Sequence, residues 1–304
     1  MSDTTASLRR KIKSAGDLQA VVRTMKALAA SSLGQYEQSV LALADYARTV
    51  ELGLSVCLRD RGLATLRSGR QPATAAGGTG VVVFGSDQGL VGQFNDVVAD
   101  HALKTLAALP GNPLAWAVGE RVHARLQEAG VPLLGLFAVP NSVQAIAELV
   151  GRILVEIETH PGGGEDMPWH IFHNHPQAGA LYAPQSLRLL PLDAVWAQGL
   201  ADVRWPSGNL PEVMGDGSGT LRALIREYLF TSLFRACAES LASENASRLA
   251  AMQRADKNID DLLETLHGTF HRLRQTGIDE ELFDVIAGYE ALGKHPVPRS
   301  DRPP

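Results

Sequence analysis

LRRKIKSAGDLQAVVRTMKALAASSLGQYEQSVLALADYARTVELGLSVCL, residues 8–58, holds no proline and repeats apolar or small residues at steps near three and four. The repeat runs through Leu8, Ile12, Ala15, Val22, Met25, Ala29, Tyr36, Leu43, Ala47, Val50, Leu54 and Cys57, with polar gaps at Gln19, Ser32 and Ser39. That spacing is a coiled-coil seam. A single helix over this stretch is roughly 75 Å long at the helical rise per residue, far beyond an ordinary globular helix.

Proline placement says where such rods can lie. Of 16 prolines, none precedes Pro72, twelve fall from Pro72 to Pro211, and four follow His295. Inside a helix a proline costs ~3 kcal/mol, because it removes a donor and clashes with the preceding turn. The two proline-free ends can therefore be rods, and the middle cannot. The second end repeats the pattern through Leu221, Ile225, Tyr228, Leu241, Leu249, Met252, Ile259, Leu262, Leu266, Phe270, Leu273, Leu282, Val285, Ile286 and Tyr289. Residues 219–292 predict a rod of roughly 110 Å, with Gly268, Gly277 and Gly288 as places where it can bend. Neither rod buries its stripe alone. The simplest arrangement is an antiparallel coiled coil of the two ends with the middle inserted between them, the longer C-terminal helix projecting. Two unrelated helical bundles are the alternative that the pattern leaves open.

The middle alternates. Strand-like runs at 80–84, 114–118, 131–137, 169–174 and 186–192 are separated by helical patterns near 94–109, 120–129 and 142–158. Strands alternating with helices predict a mostly parallel sheet, a Rossmann-like α/β unit. A Gly/Ala/Thr stretch at 73–79, a Gly-rich loop at 160–166 and a Pro/Gly-rich stretch at 206–219 read as connections. The expected division is 1–72 and 206–292 for the coiled-coil helices, 73–205 for the inserted α/β domain, and 293–304 for a flexible tail.

Composition narrows the function classes. The chain has 304 residues, 45% of them hydrophobic, and a formal net charge of -5. The length suffices for a sizeable core, and the charge argues against nucleic acid as a partner. Cys57 and Cys237 are 180 positions apart among helical residues, which fits two buried thiols in a reducing compartment. The N-terminus shows no apolar signal region, and no window reaches the ~18 apolar residues of a membrane span. Work at a membrane would run through partners, without direct insertion.

Few residues suggest chemistry. Gly85-Ser86-Asp87-Gln88-Gly89-Leu90-Val91-Gly92 lies between the first strand and first helix of the α/β unit, where glycine-rich turns can cradle phosphate. Its spacing matches neither the dinucleotide fingerprint nor a P-loop, so a tight structural turn is the plainer reading. His170, His173 and His175 form a short cluster, but on a strand alternate side chains diverge, and no metal set is expected. Ser7, Ser31 and Ser32 lack a nucleophile context. No catalytic residue and no cofactor are expected.

Three segments resemble the γ subunit of F-type ATP synthases. Residues 8–14, LRRKIKS, with 22–31, VRTMKALAAS, look like that family's opening helix. Residues 86–95, SDQGLVGQFN, look like its S-D-R-G-L-C-G-x-x-N segment, and 241–252, LASENASRLAAM, like its L-A-S-E-x-x-A-R-M-x-A-M helix, followed by Arg274-Gln275 and Ile278. The resemblance implies a central rotor stalk, not itself an enzyme, with both terminal helices inside a ring of α and β subunits. The α/β domain would stand near the ε subunit and a membrane c-ring, on the cytoplasmic face of a bacterial inner membrane. It also implies partner contacts at Met25, Arg248, Arg274 and Gln275, and a structural role for the glycine-rich turn. Departures from the pattern at Lys26, Ser32 and Asp279, and around Trp205, imply a divergent type, including one whose ring carries sodium. A non-rotary coiled-coil scaffold displaying an α/β interaction domain is the rival reading.

Overall fold

The computed structural model describes residues 4–61, 78–109, 111–160, 167–178, 180–192, 194–209, 211–213 and 217–293. Residues 73–77, 161–166 and 294–304, read from the sequence as linker, loop and tail, lie outside the described residues. The chain divides into two compact units, Met1–Met25 with Met252–Pro304, and Lys26–Ala251.

Two long helices dominate. α1 spans Thr5–Arg61, and the Thr4 hydroxyl oxygen accepts from the Ser7 amide at 3.2 Å, satisfying one of its free N-terminal donors. Its buried residues Leu8, Ala15, Val22, Ala29, Tyr36, Val50 and Cys57 fall on one heptad position, Leu43 completing the series half-buried. The last helix, α6, runs unbroken over Ser218–Gly293. The three glycines expected to bend it do not interrupt it, because a helical glycine keeps its N–H and loses only propensity.

In the unit formed by the two chain ends, the helices pair antiparallel. Arg9 lies over the Phe270 ring at 5.4 Å, Arg23 meets Asp256 at 3.1 Å, and Gln19 donates to Asp260 at 2.5 Å and Asp256 at 3.3 Å. Gln19, a polar gap in the sequence pattern, is a buried seam residue whose amide is satisfied by the facing helix. Within Lys26–Ala251 the order is likewise antiparallel. Tyr46 donates to Glu227 at 2.7 Å, and a Cβ on Gly53 would come within 3.1 Å of Leu224.

The inserted part follows the order β1 (Thr79–Phe84), α2 (Phe94–Ala108), β2 (Pro113–Val118), α3 (Glu120–Glu128), β3 (Leu133–Phe137), α4 (Val143–Thr159), β4 (Trp169–Gln177), β5 (Ala180–Leu190) and α5 (Ala194–Ala201). Ser142 caps α4, accepting from the Ala145 amide. The sheet order is β3-β2-β1-β4-β5. β1 pairs in parallel with both β2 and β4, whereas β5 returns antiparallel along β4. The strand expected at 186–192 therefore begins earlier, at Ala180, as the second arm of a hairpin. Pro184 masked it, since proline is tolerated only on an edge strand such as this one. α5 was not anticipated, because its eight residues are too short for a periodic signal.

Each face of the sheet is covered. Val81, Val83, Ala115, Ala117 and Phe172 pack with α2 and α3. On the other face, Val82, Phe84, Trp116, Trp169 and Ile171 pack with α4 and with Tyr36, Leu233 and Leu241 of the long helices. A third cluster joins Val50, Leu54 and Leu58 of α1 to Ala197 and Leu200 of α5 and Leu221 of α6. The Arg59 guanidinium donates to the carbonyls of Ala201, at 2.6 Å, and of Val203, binding the end of α5 to α1. Neither cysteine is in a disulfide and both are buried, and burial pushes the Cys237 thiol far above its ordinary range. They are inert packing residues.

Candidate functional site

The strand order reverses at β1, so the crevice beyond the carboxyl ends of β1 and β4 is where α/β sheets usually hold ligands. Here the segment 85–92 lies at that point, and its polar groups are already engaged. The Ser86 amide donates to Asn95 Oδ1 at 2.9 Å, and Asn95 Nδ2 donates to the Ser86 hydroxyl oxygen at 2.9 Å. Asp87 accepts from the Glu120 amide at the start of α3 and from the Val139 amide beyond β3, both at 3.0 Å. A carboxylate from the chain itself thus sits at the helix N-terminus where an external anion would bind.

α6 packs against the same segment and against the end of β4. Ser247 donates to the Val91 carbonyl at 2.5 Å, Ser243 donates to the Asn174 carbonyl at 3.2 Å, and Asn174 Nδ2 donates to the Phe94 carbonyl at 2.8 Å. Gly85 is needed for the close approach: a Cβ there would lie 2.4 Å from the Cβ of Val122. Gly85→Ala is expected to destabilise the chain by about 1–3 kcal/mol, the range of overpacked cores. Urea unfolding would check this, and an unchanged midpoint would contradict the tight packing.

Two carboxylates of α6 lie inward, Glu244 buried and Glu239 half-buried. Glu239 accepts from Arg235 at 2.7 Å and lies 3.0 Å from His173 Nε2. Burial raises the Glu239 carboxyl, but the hydrogen bonds from His173 and Arg235 outweigh it and leave the group below its ordinary value. A lowered acid contributes stability that is present above its unfolded pKa and is lost as pH falls through the folded one. Relative to Glu239→Gln, the natural chain should therefore lose stability below about pH 4.3. Chemical unfolding across that range would read it, and parallel pH curves would contradict it. His170, by contrast, is pulled below its ordinary value by burial and then by Arg188. The three clustered histidines do not converge: among the described residues no group of three or more His, Cys, Asp or Glu is placed to hold a metal.

The four residues carried over from the resemblance fall in two settings. Arg248, on α6, belongs to the Lys26–Ala251 unit, where its guanidinium meets Glu244 at 2.6 Å, with side chains only 13% and 7% exposed. Burial raises the Glu244 carboxyl, Arg248 pulls it back, Asp87 pushes it up again, and the net effect is upward. Met25, Arg274 and Gln275 belong to the other unit. Met25 is half-buried two residues beyond Arg23, while Arg274 and Gln275 are exposed. Asp256, which Arg23 grips, is about 27 Å of helical rise from Arg274, so Met25 and the Arg274-Gln275 pair form two separate surfaces. Beyond them, Ile278, Leu282, Phe283, Val285, Ile286 and Tyr289 leave apolar side chains 46–81% exposed along the end of α6. The sequence pattern placed Leu282, Val285, Ile286 and Tyr289 in the apolar stripe and expected the longer C-terminal helix to project; their exposure agrees with that projection.

A family model described as ATP synthase matches residues 4–292. The ATP synthase gamma chain of Clavibacter sepedonicus is 28% identical over 296 residues, covering 93% of this chain and 96% of that one. The ATP synthase gamma chain of Parafrankia is 29% identical over 294 residues, with 93% and 96% covered. Among solved structures, a chain of the Euglena gracilis mitochondrial ATP synthase, solved with its OSCP, F1 and c-ring, matches with a TM-score of 0.59 and 17% identity over 98% of each chain. A chain of the Tetrahymena thermophila mitochondrial ATP synthase central stalk and c-ring matches with a TM-score of 0.55 and 20% identity, covering 77% of this chain and 99% of that one. The structural matches agree in fold with the antiparallel helices and inserted sheet. The family match spans both helices and the sheet between them, and the chain belongs to the ATP synthase gamma-chain family.

Proposed function

We propose that this chain is the central rotor stalk of an F-type ATP synthase, the γ subunit that couples ion flow through a membrane c-ring to ATP synthesis or hydrolysis in a surrounding ring of α and β subunits. The observation that carries the reading is the family match along both long helices. The exposed apolar end of α6 supports it, since a contiguous apolar surface on one helix calls for a protein partner. A shaft acts by biasing the conformations of its neighbours, each stable in more than one state. On this reading the subunit is non-catalytic. Residues 1–72 and 206–292 form the shaft, 73–205 stand beside it towards ε and the c-ring, and 293–304 form a tail. Met25, Arg248, Arg274 and Gln275 are its partner contacts. The complex would sit peripherally on the cytoplasmic face of a bacterial inner membrane, and no helix among the described residues is long and apolar enough to cross it.

The test is reconstitution. The purified chain alone should hydrolyse no ATP, because the segment 85–92 is not a P-loop and Asp87 already takes the N-terminus of α3. Mixed with α and β subunits from its own source, it should enter a complex whose ATPase activity depends on it. Turnover by the single chain, or failure to join the ring, would overturn the proposal. In the second case a non-rotary scaffold becomes the better reading.

A further inference from the structure

His267 and His271 stand one turn apart on α6, with ring centroids 6.5 Å apart and ring planes within 27° of parallel. Side chains four apart share one face of a helix, and two imidazoles at that spacing are how helices grip zinc in many metalloenzymes. Both residues are exposed, so neither is a packed core histidine. His271 is braced edge-on by Phe270 at 5.8 Å, and Phe270 is itself held under Arg9 at 5.4 Å. The flank between them is bare: Gly268 carries no side chain, and a Cβ there would meet nothing within 4 Å. A hydrated cation can approach from that side. Glu264, one turn earlier on the same face, adds a negative charge that favours it.

We propose that His267 and His271 form a two-imidazole site for a divalent transition-metal cation, with water in the remaining coordination positions. Metal–nitrogen bonds of about 2.0–2.1 Å bring the two nitrogens close together. Near-parallel rings on fixed backbone positions reach this by side-chain rotation alone. No third protein ligand is in place, so the cation is exchangeable, unlike one in a closed four-ligand structural site. Imidazole selects copper, nickel and zinc over magnesium and calcium, with copper the tightest. Ligation uses the neutral ring, so protons compete with the metal. The site stands whether or not the chain is a rotor.

The full-length chain is titrated separately with Cu²⁺, Zn²⁺ and Mg²⁺ by equilibrium dialysis and by thermal unfolding, at about pH 7.5 and about pH 5.5. The expected result at the higher pH is saturable binding of Cu²⁺ and Zn²⁺, with copper tighter and a melting temperature that rises with free metal. Acidification should weaken it, and Mg²⁺ should give none. His267→Ala and His271→Ala should each lower Zn²⁺ affinity by roughly tenfold or more, while leaving the metal-free melting temperature unchanged. His123→Ala, on α3, should leave affinity as it was. Zn²⁺ affinity equal in both variants and the natural chain would place the metal elsewhere and overturn the site, as would the absence of saturable binding.

Discussion

Arg248→Ala is expected to cost roughly 3–5 kcal/mol of folding stability, the usual penalty for removing one partner of a buried ion pair. The arginine is surrounded by protein, and its loss leaves Glu244 buried with Asp87 nearby as a second negative charge. The cost should depend on pH in a defined sense. Burial already raises the Glu244 carboxyl, and without Arg248 nothing opposes it. A raised acid favours the folded state fully below its unfolded pKa, about 4.3, and that advantage is lost as pH rises through the folded value. The variant should therefore lie closest to the natural chain under acid and fall away towards neutrality. The double variant Arg248→Met with Glu244→Gln, which removes both charges, should recover most of the loss. Urea unfolding at two pH values decides it. A single variant as stable as the natural chain at neutral pH would mean that Glu244 is not buried as described.

Arg274→Ala should do the opposite: little to the isolated chain and much to the assembled complex. The side chain is exposed on α6, so its removal should change folding stability by less than about 0.5 kcal/mol. If it meets a catalytic subunit at a partly desolvated surface, as proposed, it contributes hydrogen bonds to charged groups worth ~1.5–3 kcal/mol. That corresponds to a loss of roughly tenfold to a hundredfold in ATPase turnover or assembly. Gln275→Ala should lose less, because a neutral amide makes weaker bonds than a guanidinium. A complex that assembles and turns over normally would remove both residues from the contact surface. Early unfolding of the variant alone would make them structural.

The rods were legible because their signal is long. A heptad sustained from Leu8 to Cys57 and a proline-free stretch after Glu212 leave few alternatives. Gln19 was misleading in its type: a polar residue looks like a gap until the facing Asp256 and Asp260 are in place. The sheet was legible in its parallel part, where buried runs are continuous, and not in β5, whose exposed residues and Pro184 look like loop. The Arg248–Glu244 pair was readable as a four-residue spacing on one helix. The Glu239–His173 contact was not, since its partners are 66 positions apart and nothing local joins them. Exposure at the end of α6 was legible in outline, because the second proline-free stretch is longer than the first and its end must project, although the stripe alone does not say at which residue the facing helix stops.

The hydrogen bonds from Ser243 and Ser247 have a consequence for how the sheet is held. In many α/β proteins the cleft at the reversal of strand order is filled by a molecule that comes and goes. Here its guest is a turn of the same chain, tethered and therefore present at a high effective concentration. It is recognised through backbone carbonyls, which read small hydroxyl-bearing residues on a helix and not any one side-chain charge. A guest so recognised can be exchanged. A separate peptide spanning residues 236–252 should compete for the same carbonyls, and a chain cut near residue 230 should be completed in trans by its missing helix.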